Sequence, residues 1–194
     1  RTNFSQESHL GGATTMKLIS LNVEGHRHWK RAIPFLTKEQ ADVICLQEVL
    51  EKDLIAIAKK LEMRYVFAPM TLKHGEKSGI AIIARSLVGK PRIKHYHLPS
   101  RRLKEYEEKN KRKTMRQVLL VSNVVCENKK FPVAATHFTW TPDGNPDALQ
   151  RSNIRKLLGI LSSAGEFVLA GDFNAPRGGE VFGMLASKYK DNIP

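Results

Sequence analysis

The chain repeatedly closes a short apolar run on a pair of polar residues, and no other feature restricts its folding as much. Phe167-Val168-Leu169-Ala170 is apolar, β-favouring and bounded by Gly165 and Gly171, so it reads as a buried strand. Beyond it lies Gly171-Asp172-Phe173-Asn174-Ala175-Pro176. Side chains alternate along a strand, so Asp172 and Asn174 share a face while the chain stays extended, and Pro176 stops the ladder. A carboxylate can orient a water and an amide can donate to an oxyanion. Taken alone, the same pattern also fits a strand ending in an Asx-type turn. Three further runs end alike: Lys17–Leu21 at Asn22-Val23-Glu24, Asp42–Leu46 at Gln47-Glu48-Val49, and Phe131–Ala135 at Thr136-His137-Phe138. Strands whose C-terminal ends carry Asn, Glu, His and Asp together have the pattern of a sheet rim built into a site.

The intervening segments predict the rest. Lys30–Glu39 and Lys52–Leu61 read as helices, the second from the spacing of Leu54, Ile55, Ala58 and Leu61. Arg64–Ala68 reads as a brief strand, Thr71–Ser78 as a polar turn, Gly79–Ala84 as a buried strand, and Val88–Leu98 and Arg116–Val125 as strands. Lys94–Arg116 is dense in Lys and Arg with interspersed Glu, which predicts an exposed helix or ordered loop. Asn145–Leu161 reads as an amphipathic helix and Gly178–Ser187 as a last helix. Strands that follow one another directly, mixed with helices, predict an α/β sandwich of two packed sheets with helices outside. No repeat or linker divides the chain, so one domain is expected over 16–194, preceded by a disordered leader over 1–15.

The 194 residues are enough for one domain with a real core. A formal net charge of +13 favours polyanionic partners: nucleic acid, phosphorylated lipid surfaces or polyphosphates. The alternative is charge that serves solvation alone. Cys45 lies within an apolar strand and neither it nor Cys126 has a metal-site partner nearby, which predicts free thiols and a reducing, cytoplasmic setting. No apolar run is long enough to span a membrane as a helix.

The ordered set LISLNVEG (18–25), VICLQEV (43–49), GIAII (79–83), AATHF (134–138) and VLAGDFNAP (168–176) resembles the endonuclease/exonuclease/phosphatase superfamily, the DNase I-like metal-dependent phosphoesterases. The resemblance runs from about residue 16 to 176. It implies a four-layer fold, with two mixed sheets face to face and helices on both flanks. It also implies that Glu48 ligates Mg²⁺, with Mn²⁺ able to substitute, and that Asn22 sits beside the metal holding Glu48 or a phosphate oxygen. Asp172 would position or activate the attacking water. Asn174 would orient Asp172 or stabilise the phosphorane, and His137 would donate to a non-bridging phosphate oxygen. Read without the resemblance, Glu48 also fits a helix N-terminal acid, and Asn22 a turn residue. Arg116 and Gln150 are further candidates for phosphate contact, and Trp140 is expected near the site's mouth. Trp29 would stack on a base or pack in the core.

The implied reaction is in-line attack of water on a phosphodiester, most simply in nucleic acid. Two alternatives stay open: the same chemistry on a lipid head group or small phosphoester, and a non-catalytic nucleic-acid-binding module. The family pattern continues with strands bearing an Asp and a Ser-Asp-His-like motif, which this sequence lacks. The expectation is a C-terminally incomplete domain whose activity belongs to a longer protein. The competing reading is a shortened protein with an exposed sheet edge.

Overall fold

The structure, a computed structural model, describes residues 16–100 and 102–193. The expected leader over 1–15 lies outside the described residues. In chain order the elements are β1 (Leu18–Asn22), α1 (Trp29–Glu39), β2 (Val43–Leu50), α2 (Glu51–Lys60), β3 (Arg64–Lys73), β4 (Glu76–Ala84) and β5 (Leu87–His97). A 3₁₀ turn (Glu108–Asn110) and the short α3 (Lys111–Thr114) follow, then β6 (Gln117–Cys126), β7 (Lys129–His137), α4 (Ala148–Leu161), β8 (Val168–Asp172) and α5 (Glu180–Ala186).

Two four-stranded mixed sheets result, ordered β1-β2-β4-β3 and β5-β6-β7-β8. Alternation along the strands divides their apolar residues between faces. Cys45, Met70, Ile80 and Ile82 of the first sheet pack against Val118, Leu120, Val133 and Ala135 of the second, and this slab is the centre of the molecule. The opposite face of the first sheet, with Ile44, Leu46 and Ile83, is covered by Leu36 of α1 and by Leu54 and Ile57 of α2. The outer face of the second, with Leu119 and Val121, is covered by Ile154, Leu157 and Leu161 of α4 and by Val181 and Leu185 of α5. The expected four-layer sandwich is therefore the observed one. Each fully buried Leu, Ile or Val contributes about 1.5–3 kcal/mol, so the three apolar layers hold both sheets firmly in register.

Each sheet contains one parallel pair. β1 lies parallel to β2 with Asn22 opposite Gln47, and β7 lies parallel to β8 with His137 opposite Asp172. The crossovers run through α1 and α4. Parallel strands bring their C-terminal ends to the same rim, which is how four distant polar motifs come together.

Some elements differ from expectation. The polar turn over 71–78 is really the meeting of two long strands, with Thr71 paired to Ser78 and only His74-Gly75 left as the turn. Both turn residues have positive φ (53° and 77°), as a two-residue hairpin turn requires. The basic stretch over 94–116 forms the end of β5, an irregular excursion and one turn of helix. α4 starts at Ala148, three residues later than expected, where Asp147 caps it by accepting the Gln150 amide at 2.8 Å. No helix among the described residues is long and apolar enough to cross a membrane.

Gly171 is required by close packing inside the second sheet. Its φ is +155°, and a Cβ there would lie 2.0 Å from the Thr136 carbonyl oxygen. We expect Gly171→Ala to lower stability by at least about 2 kcal/mol in urea denaturation. Gly183→Ala, in α5 with nothing within 4 Å of the new methyl, should be neutral or stabilise by up to about 1 kcal/mol.

Candidate active site

The four strand ends converge on one cleft of about 540 Å³, lined by Asn22, Glu48, His137, Asp172 and Asn174 together with Glu24, Arg27, Lys73, Tyr106, Glu108, Lys111, Met115 and Trp140. A larger recess of about 790 Å³ lies under the excursion, between Arg102, Lys104, Glu105 and Lys113, and contains none of the strand-end residues. The convergent chemistry is in the smaller cleft.

Glu48 is delivered by an irregularity in β2. The pairing of β2 with β4 shifts register between Leu46 and Val49, and Glu48 has φ +56°. A non-glycine residue in that region costs free energy that the surrounding structure must offset. Here the segment that follows β1 holds the backbone, with Val23 N–H donating to the Gln47 carbonyl at 3.0 Å and Gly25 N–H to the Glu48 carbonyl at 3.1 Å. The bulge turns the Glu48 carboxylate into the cleft.

Asn22 joins the two sheets. Its Nδ2 donates to Glu48 Oε1 at 3.2 Å and to Asp172 Oδ2 at 3.1 Å, while its Oδ1 accepts the Glu24 N–H at 3.0 Å. Its first service in this geometry is thus to hold the two carboxylates. Asp172 is fixed on its other oxygen by the Asn174 backbone N–H, 2.9 Å from Oδ1. Asn174 has φ +47°, which Asn tolerates, and its side-chain amide donates to the Phe138 carbonyl at 2.9 Å. Orientation of Asp172 by Asn174 therefore comes from the main chain, and the Asn174 side chain ties the β8 loop to the end of β7.

His137 is buried at the end of β7, with Nε2 3.8 Å from Asp172 Oδ2 and 4.0 Å from Glu48 Oε1. Its Nδ1 has no hydrogen-bond partner among the described residues. The proton of the neutral ring thus belongs on Nε2, where two carboxylates favour it. Burial pushes the His137 pKa below its ordinary value, and the two carboxylates only partly oppose that. Burial pushes the Glu48 pKa up, but the Lys73 ammonium, His137 and the Asn22 amide outweigh it and leave the carboxyl below its ordinary range.

Two expected phosphate contacts lie elsewhere. Gln150 is buried, and its amide NH₂ donates to the carbonyls of Thr139 at 2.8 Å and Asn174 at 3.0 Å. It braces the two loops behind the site and is not available to substrate. Arg116 is half-buried and absent from the cleft wall; its charge acts on His95 of β5. Trp140 does line the cleft, whereas Trp29 packs in the core with its indole N–H on Asp53 at 3.3 Å.

Lys73, Tyr106 and Lys111 were not foreseen. Lys73 Nζ is 2.7 Å from Glu48 Oε2 and 5.2 Å from the centre of the Tyr106 ring. The His74-Gly75 dipeptide between two apolar runs was the signal for a tight hairpin, and a tight hairpin would have placed Lys73 at a strand end. The excursion that carries Tyr106 and Lys111 has no periodicity from which their placement could be read.

Both shifted groups bind protons less readily in the folded state than in the unfolded chain. Their stabilising effect is present above the unfolded pKa and is lost as pH falls through the folded one. Stability should therefore hold near pH 7–8, decline as pH drops below about 6.5, where unfolded His137 titrates, and decline further below about 4.5 with Glu48. Urea midpoints across this range should show the upper limb reduced in His137→Asn. A residue of that limb should persist from His95, whose pKa is also lowered by burial.

The sequence matches the family model described as the Endonuclease/Exonuclease/phosphatase family over residues 19–191. Comparison with curated proteins gives no match. Among solved structures, an endonuclease/exonuclease/phosphatase from Beutenbergia cavernae is similar at 19% identity and TM-score 0.61, covering 82% of this chain and 47% of that one. ANGEL2, described as a 2′,3′-cyclic phosphatase, is similar at 19% identity and TM-score 0.65, covering 89% of this chain and 56% of its own. The human Nocturnin catalytic domain, solved with a sulfate anion, is similar at 17% identity and TM-score 0.62, covering 90% and 69%. The chain thus spans about half the length of the first two, and at these identities the likeness establishes the fold. With the family model covering most of its length, the chain belongs to the endonuclease/exonuclease/phosphatase family.

Proposed function

We propose that this protein is a divalent-metal-dependent phosphodiester hydrolase acting on nucleic acid. The observation that supports the chemistry best is the meeting of Glu48 and Asp172 on one Asn22 amide, with His137 Nε2 facing both. Family membership supports a phosphoester as the substrate class, and the net charge of +13 favours a polyanion.

The donor set fits a hard cation of the Mg²⁺ kind. Such ions take one or two protein carboxylates and complete their shell with water and phosphate oxygens. No cluster of three or more His, Cys, Asp or Glu suited to a metal occurs among the described residues, so a site built on Glu48 is of the sparse type. Glu48 would hold the ion, with Asn22 fixing its carboxylate; Mn²⁺ would serve in place of Mg²⁺. When bound, the ion supplies Lewis-acid stabilisation of charge on phosphate oxygens.

The remaining roles fall to the chain's own groups. Asp172, held on Oδ1 by the Asn174 N–H, presents Oδ2 to a water and accepts its proton as the oxygen attacks phosphorus. The bond to the leaving oxygen breaks in line with the attack, and that oxygen takes its proton from solvent water. His137, neutral and carrying its proton on Nε2, donates to a non-bridging oxygen as negative charge grows there. Thr139, Gln150 and Asn153 hold the loops on which these groups sit.

Glu48→Gln and Asp172→Asn should each lower the rate of phosphodiester cleavage by roughly 100-fold or more. Cleavage should stop in EDTA and return with Mg²⁺ or Mn²⁺. Turnover of a labelled oligonucleotide that survives EDTA, or stays within a few-fold in both variants, would sink the proposal.

A further inference from the structure

The segment between β5 and β6 brings a further cation, Lys111, into the cleft wall. Lys111 lies with Nζ 3.2 Å from the centre of the Trp140 ring and 3.0 Å from Glu108 Oε1. Its side chain is only 15% exposed, unusual for a lysine. Burying an ammonium costs hydration and side-chain entropy, so such a placement calls for a compensating contact. Trp140 and Glu108 provide part of it. An ammonium has three N–H donors; the carboxylate engages one and the indole face another, which leaves capacity for an incoming anion.

The excursion that carries Lys111 is tied down at several points. Leu72 N–H donates to the Lys104 carbonyl at 2.8 Å, and Tyr106 N–H to the Leu72 carbonyl at 2.7 Å. His97 Nε2 lies 2.7 Å from the Arg112 carbonyl. Arg112 pairs with Asp147, the cap of α4, which follows the loop bearing Trp140. Both supports of Lys111 are thereby linked, and its ammonium is pre-positioned rather than swept through solvent. Its charge reaches His137, where it opposes protonation of the ring. Arg102, Lys104, Lys109, Arg112 and Lys113 continue the positive charge along the same excursion outside the cleft.

We propose that Lys111, held by the Trp140 ring, is a phosphate-binding residue that receives the backbone of a nucleic-acid strand beside the reaction centre. This rests on the nucleic-acid reading above and adds to it a specific contact and the segment that supplies it. Both cleft lysines are paired: Lys73 with the half-buried Glu48, which the proposed function assigns to a metal, and Lys111 with the exposed Glu108, a partner that leaves its remaining donor capacity to substrate.

The test is binding of a fluorescent single-stranded oligonucleotide to Asp172→Asn protein, by anisotropy across a salt series. Neutralising one phosphate contact changes the slope of log K against log salt by about 0.7 on a single strand. In that background Lys111→Met should reduce the slope by about that amount and weaken binding about 5–10-fold at 50 mM salt. Lys111→Arg should restore both. Lys109→Met, exposed two residues earlier, should have the smaller effect. If Lys111→Met lowers the urea midpoint but leaves slope and affinity within two-fold, Lys111 is a structural prop and the proposal is wrong. If the Asp172→Asn protein binds no oligonucleotide, the nucleic-acid reading falls and this contact with it. The hydrolytic reading would then be judged separately, by wild-type turnover of a small phosphodiester.

Discussion

A single amide holds the site together across the sandwich. Asn22 Nδ2 donates to Glu48, 26 residues away on the neighbouring strand, and to Asp172, 150 residues away in the other sheet. Two carboxylates this close would repel, and the repulsion would be strong in the partly buried rim. The amide places its donor protons between them, and Lys73 neutralises the outer oxygen of Glu48. For Asn22 to reach both partners, β1 must lie parallel to β2, β8 must lie parallel to β7, and the two sheets must pack without slipping. The central slab of Cys45, Ile80, Ile82, Val118, Leu120 and Val133 therefore has a consequence beyond stability. It fixes the distance between two acids that no local sequence connects.

Around that bridge the protein tolerates several unfavourable features. Glu48 sits at positive φ on a bulge, Asn174 also has positive φ, and His137 is buried with an unpartnered Nδ1 among the described residues. Each costs free energy, and all are within a few residues of the strand ends. Local strain of this kind persists where surrounding contacts over-determine the geometry, and here those contacts are the parallel ladders and the Gln150 brace.

How much of this was legible in the sequence follows from which physical signals are local. Strand faces, helix stripes and strand-end polar residues are periodic features, so the strands, the helices and a polar rim at the ends of the strands could be read directly, whereas the four layers were expected from the family resemblance. Gln150 misled because a polar residue near a site looks like a ligand until its burial and partners are known. It is buried on α4, where its amide donates to two backbone carbonyls. Arg116 misled similarly: a cation at the start of a strand is a candidate for phosphate contact by residue type, but that place in the chain does not decide which way its side chain faces. The roles of Lys73 and Lys111 depend on a hairpin and on an irregular loop, whose geometry is set by tertiary contacts rather than by any repeat.

This division carries a consequence for how such a fold acquires specificity. The residues proposed to act on phosphorus come from strand ends, where register fixes position. The residues that would meet the rest of the substrate come from the excursion between β5 and β6 and the loop after β7. The Arg112–Asp147 pair and the stacking of Lys111 on Trp140 tie these two segments to each other. A change in either segment would then move the other while the parallel ladders leave Glu48 and Asp172 in place. Substrate preference can vary in such an arrangement without disturbing the reacting groups, because the two are held by different contacts: backbone pairing for the chemistry, side-chain charge and aromatic stacking for recognition.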